Sequence, residues 1–226
     1  CWLLVLVWLL GRLGMAGLVP IPGAMVAGIV VGFPVLLAAV VGRVIVRAGS
    51  KRNFGIVAVL IALAVASLLV HLEALGVLDG VARVALYAAL HILIVLHVVV
   101  GGRVIPMFTR NRTGVDSITS DATTDRVAIA AAVLVAALSI PAAATDVPAW
   151  DWALGAAAAV SGVVQLVRMR TWGTGSALRV PMLAVLHVGY AWIGVGHLLL
   201  AVAMFVPALP VALALGGHPE SLLDGC

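Results

Sequence analysis

Seven apolar runs of about 20 residues follow one another along this chain, with only short polar interruptions between them. That rhythm limits what the chain can fold into. A helix rises about 1.5 Å per residue, so a run of about 20 spans a hydrocarbon core about 30 Å thick. Backbone N–H and C=O groups inside lipid must be satisfied within the segment, which favours helices. The runs are Trp2–Val19, Gly23–Arg47, Phe54–Leu75, Val81–Ile105, Asp125–Ala144, Trp150–Arg168 and Val180–Val206. The expected architecture is all-α: a polytopic transmembrane helical bundle of about seven spans. Residues 1–215 form one helical domain, and residues 216–226 form a polar tail with an altered or truncated end.

Composition agrees. With 64% hydrophobic and 10% charged residues, the chain lies far from a soluble domain, in which about 25% of residues are charged. The net charge of +4 does not indicate a nucleic acid partner, because the basic residues sit in short clusters between apolar runs. Cys1 and Cys226 stand at the chain ends and form neither a disulfide framework nor a CxxC metal motif. The chain opens inside an apolar segment, with no basic region and cleavage site before it, and reads as a piece of a longer protein.

The loops test the count. Alternate loops gather Arg43, Arg47, Lys51 and Arg52, then Arg103, Arg110, Arg112 and Arg126, then Arg168, Arg170 and Arg179. Those are eleven of the thirteen basic residues. The opposite loops carry Glu73, Asp79, Asp146 and Asp151. The positive-inside rule puts the basic loops in the cytoplasm of a multi-pass protein, with the first span running outward. Trp150 and Trp152 fall where an outer aromatic belt would lie, and Trp172 near the inner one. Asn53 is placed to cap the third helix, and Thr109–Thr124 reads as a loop behind a fourth helix ended by Pro106.

Polar residues inside such spans are costly and mark candidate sites. From the helix rise, His91 and His197 share a depth of about 15 Å below the acidic side, while His97 and His187 lie deeper. At about 100° per residue, His91 and His97 point to roughly opposite faces of one helix. His71 lies near the outer surface beside Glu73. Any one of these histidines is accommodated as an interhelical hydrogen bond. Together they also suit haem iron or copper, for which imidazole is a good ligand. Arg103 either snorkels to the interface or pairs with an anion such as a haem propionate. Arg12, near the middle of the first run, is expected to pair inside the bundle. No P-loop, HExxH, GxGxxG or nucleophile–base constellation is present.

The stretch Gly101–Asn111, GGRVIPMFTRN, resembles the GGRxIPxFTRN signature of the NnrS family. Trp8-Leu-Leu-Gly-Arg12, Leu69-Val-His71-Leu-Glu-Ala-Leu75 and Leu186-His187-Val-Gly-Tyr190-Ala-Trp192 match in the same order. Members of that family are longer bacterial inner-membrane proteins that contain haem and copper and are associated with nitric oxide metabolism and nitrosative stress. This chain would be the middle portion, without the family's opening segment or its later histidine-rich spans. The resemblance implies haem and copper as cofactors, the lipid bilayer and nitric oxide as partners, and His71 and His187 as the foremost metal ligands. Arg103, His91, His97 and His197 are further cofactor-binding candidates. The alternative from another class is a transporter whose polar residues line a substrate path, although no internal repeat supports it.

Overall fold

The computed structural model describes residues 2–49 and 54–206, among which there is no strand. The helices are α1 (Trp2–Met15), α2 (Gly23–Arg47), α3 (Phe54–Ala74), α4 (Ala82–Thr113), α5 (Ala122–Ala144), α6 (Pro148–Arg168), α7 (Thr174–Ala177) and α8 (Pro181–Phe205), with a 3₁₀ turn at Met169–Thr171. Six of them are long and apolar enough to cross a membrane, and α1, at 14 residues, is a shorter apolar helix. The all-helical, multi-span expectation therefore holds. The cap at Asn53, the cations Lys51 and Arg52, both cysteines and the polar tail lie outside the described residues.

Two compact units divide the chain, residues 1–96 and 97–226, with the boundary inside α4. In the first unit, α2 packs against both α1 and α3. Small residues allow the approach: a Cβ on Gly14 would lie 3.0 Å from the Val26 side chain. The run expected to reach Val19 stops at Met15 because Gly17 turns left-handed, at φ 69°. The N–H groups of Gly17 and Leu18 then bond to the carbonyls of Gly14 and Leu13, a Schellman ending. Arg12 accordingly sits in the last turn of α1. It is exposed rather than paired inside the bundle, with its guanidinium 5.9 Å from the Trp8 ring. At the far end of α3, Glu73 accepts from the N–H groups of Val81 and Ala82, both at 2.6 Å, and so caps the start of α4.

The fourth helix departs most from expectation. It does not end at Pro106 but continues to Thr113, so the predicted loop from Thr109 shrinks to residues 114–121. Proline removes one N–H from the ladder, yet it is tolerated in apolar helices whose neighbours re-satisfy the freed groups. Thr109 and Thr113 extend the pairing beyond it, donating to the carbonyls of Ile105 and Thr109, both at 2.8 Å. Pro34 in α2 and Pro141 in α5 are also carried inside continuous helices.

In the second unit, α6 is central, packed against α5 on one side and α8 on the other. Val135, Leu154, Ala157, Ala158 and Ala201 form the apolar core toward the acidic end. Gly162 and Gly194 mark the crossing of α6 and α8, where a Cβ on either would approach the other's carbonyl oxygen to 2.8 or 3.1 Å. Backbones this close leave room only for the side chains on the facing stripes.

Candidate functional site

Those stripes are polar. On α6, Ser161, Gln165 and Arg168 recur at i, i+4 and i+7, and all three are buried. On α8, His187, Tyr190, Gly194 and His197 follow the same periodicity and are buried too. Arg168 anchors the arrangement. Its Nε lies 2.6 Å from Asp125 Oδ1 on α5, and its Nη1 donates to the Val98 carbonyl at 3.0 Å and to the Tyr190 hydroxyl at 2.9 Å. A guanidinium only donates, so Tyr190 must pass its own proton onward. It donates to Gln165 Oε1 at 2.5 Å, and Gln165 Nε2 in turn donates to the Ala128 carbonyl at 2.9 Å. One buried cation thereby sets the direction of every bond in the chain. Ser161 Oγ lies 3.3 Å from His197 Nδ1 further along the same seam.

The signature glycines make room for this network. A Cβ on Gly102 would fall 1.9 Å from an Arg168 terminal nitrogen, and one on Gly101 would fall 2.9 Å from the Tyr190 ring. Ile105, one turn on, joins Met169, Trp172 and Tyr190 in an apolar cluster. The motif thus has a packing role in this fold: two small residues, an outward arginine, and an inward isoleucine.

Trp172 roofs the network. The 3₁₀ turn after α6 and the left-handed Gly173 fold the ring inward, and it is fully buried rather than in an interfacial belt. It packs edge-on to Tyr190 at 4.7 Å and to His187 at 6.5 Å between ring centroids, with the Arg168 guanidinium 5.4 Å away. His187 Nδ1 lies 3.0 Å from the Leu183 carbonyl, and donation there leaves the lone pair on Nε2. That Nε2 is buried without a hydrogen-bond partner, as is the Trp172 indole N–H. An unmade hydrogen bond of this kind costs about 1–3 kcal/mol, so the pair is an anomaly to be accounted for.

The residues singled out from sequence are distributed between the units. His71, half-buried on α3, approaches the Ser67 carbonyl at 2.8 Å through Nδ1, and buried His91 approaches that of Tyr87 at 2.9 Å. Both lie in the first unit, while His97, Arg103, His187 and His197 lie in the second. His97 is exposed on a groove face of α4, whereas His187 faces Trp172 inside the unit. The opposed faces expected for His91 and His97 correspond to one buried and one exposed ring. Arg103 is exposed on α4. Among the described residues, no group of three or more His, Cys, Asp or Glu side chains converges as a metal cluster.

Sequence reasoning missed the Arg168 network. Arg168 was counted among the loop cations, and Asp125 and Gln165 were given no role. The available signal was the i, i+4, i+7 spacing of Ser161, Gln165 and Arg168 in an otherwise Ala- and Val-rich helix.

No curated protein and no solved structure matches this chain. The family model described as NnrS protein matches residues 1–218, nearly the whole sequence and all the described helices. The glycine pair that admits Arg168, the His71 segment and the α8 segment with His187 and Tyr190 all lie inside that match, and the chain belongs to the NnrS family.

Proposed function

We propose that this membrane protein binds haem, with copper as the second metal of the intact protein, and that it serves nitric oxide handling. The observation carrying this reading is His187. Its ring is held by the Leu183 carbonyl, as metal-ligating histidines are commonly held through their other nitrogen, and its Nε2 lone pair is buried and unspent. An imidazole of this kind would serve as a protein ligand to haem iron were haem bound. The described residues do not by themselves fit a copper centre of three or more protein ligands. His71, anchored in the same way on Ser67, is the corresponding single ligand of the first unit.

Bound haem iron would supply a centre able to coordinate nitric oxide. The chain's own residues do the rest. Leu183 fixes the tautomer of His187, Trp172 closes the space beside it against water, and the Arg168 guanidinium stands 5.4 Å from the Trp172 ring. That charge is paired with Asp125, and Arg168 serves by holding Tyr190 and, through it, Gln165 in place. The transporter alternative is less well supported, because Arg168 and Gln165 are buried and paired with Asp125, Tyr190 and main-chain carbonyls rather than lining a path.

The test is haem and metal content per polypeptide of the purified full-length protein, beside an absorption spectrum. Stoichiometric haem with a Soret band is expected. Protein free of haem and copper after expression with both supplied would refute the proposal.

A further inference from the structure

A long groove separates the second-unit part of α4 from α8. Its inner section, of about 340 Å³, is walled by Val100, Val104, Val185 and Ile193, with Gly189 and Tyr190 as its floor. An outer section of about 270 Å³ runs on between Phe108 and Met182 and ends at Asn111 and Arg112. Leu186 lines both sections, so they form one track along the helix pair. The floor is open at Gly189, where a Cβ would meet nothing within 4 Å.

From Asn111 to His97 the track follows α4 for about 21 Å at the helical rise, which exceeds the roughly 15 Å of hydrocarbon in one leaflet. Its walls are aliphatic and ask for no hydrogen bonds. Its mouth differs: Arg112 and Asn111 stand exposed at the helix end, Arg110 is exposed on the same turn, and Arg112 makes no ion pair among the described residues. A free phosphate would have no use for the apolar track, and an apolar helix would leave the arginine at its mouth without a counter-charge. A molecule with a long hydrocarbon tail and an anionic phosphate satisfies both ends, since guanidinium and phosphate pair bidentately.

We propose that the groove between α4 and α8 holds one acyl chain of an anionic phospholipid, with its phosphate on Arg112 and Asn111. The proposal does not rest on the metal reading, because neither section of the groove is lined by His187, which faces Trp172.

Native mass spectrometry of the full chain tests this, using phosphatidylglycerol and phosphatidylcholine with identical acyl chains. Phosphatidylglycerol adducts are expected to survive activation about fivefold better, the effect of one basic contact to an anionic lipid. Arg112→Gln, at an exposed position, should reduce that preference to near parity. Gly189→Leu, which places a side chain in open groove space, should weaken retention of both lipids. Equal retention of the two lipids by the wild type would overturn the proposal. So would a preference unchanged in Arg112→Gln, or a dimer that persists and excludes lipid from the groove. Should Gly189→Leu fail to fold, the Arg112→Gln comparison decides alone.

Discussion

The guanidinium of Arg168 occupies the space that a side chain on Gly102 would need: a Cβ there would lie 1.9 Å from one of its terminal nitrogens. The relationship explains why the second position of the GGRVIPMFTRN motif is a glycine. It also ties α4 to an ion pair formed between α5 and α6. Gly102→Ala should therefore expel Arg168 from its site, stranding Asp125 and the Tyr190 hydroxyl. Breaking a buried pair costs about 3–5 kcal/mol, and unfolding in detergent followed by circular dichroism should show a loss of that order. A double-mutant cycle with Arg168→Met isolates the cause. The alanine should cost much less once the arginine is absent, and an equal cost in both backgrounds would show that some other contact of Gly102 dominates.

Tyr190 relays a hydrogen bond from Arg168 to Gln165 while its ring packs on Trp172. Tyr190→Phe keeps the ring and removes the relay, leaving Gln165 Oε1 unpaired in the interior. The expected loss is about 1–3 kcal/mol. Gln165→Leu should cost a similar amount, and the double variant less than the sum of the two. Additive losses would mean that Tyr190 and Gln165 are not coupled.

Outside the spans, Asp121 caps α5. It accepts from the Thr124 hydroxyl at 2.5 Å and the Thr124 N–H at 2.8 Å, bonds that hold its carboxyl below the usual carboxylate range. Because the folded value is the lower one, the cap's contribution is full above the ordinary carboxylate range and is lost as pH falls through the depressed value. The amide resonance of Thr124 should titrate below that range in the native protein. In Asp121→Asn, which caps without a charge, it should stay flat. A flat profile in the native protein would remove the cap from the account.

Much of this fold is legible in hydropathy alone. The expected bounds of the second span, Gly23–Arg47, are those observed, the apolar run being long enough to carry Pro34 inside a continuous helix. Pro106 misleads because its cost is set by surroundings the sequence does not display. Within a span, the helix continues past the lost rung, and threonine hydroxyls add bonds to the Ile105 and Thr109 carbonyls in the turns that follow. Arg168 misleads for a related reason. A cation at the end of an apolar run reads as interfacial, and its burial becomes evident only when Asp125, forty-three positions earlier, is brought alongside. Helical phase separates His91, buried, from His97, exposed, and the same phase on α6 aligns Ser161, Gln165 and Arg168 on its buried stripe.

His187 carries the central claim. The most direct measurement is the absorption spectrum of the purified full-length protein, oxidised and reduced, for the wild type, His187→Ala and His97→Ala. His187 is buried with its Nε2 unspent, whereas His97 lies on the exposed groove face. The account predicts a Soret band that shifts or weakens in His187→Ala, with haem content reduced, and is retained in His97→Ala. A His187→Ala protein that folds and keeps the wild-type spectrum and haem content would contradict it.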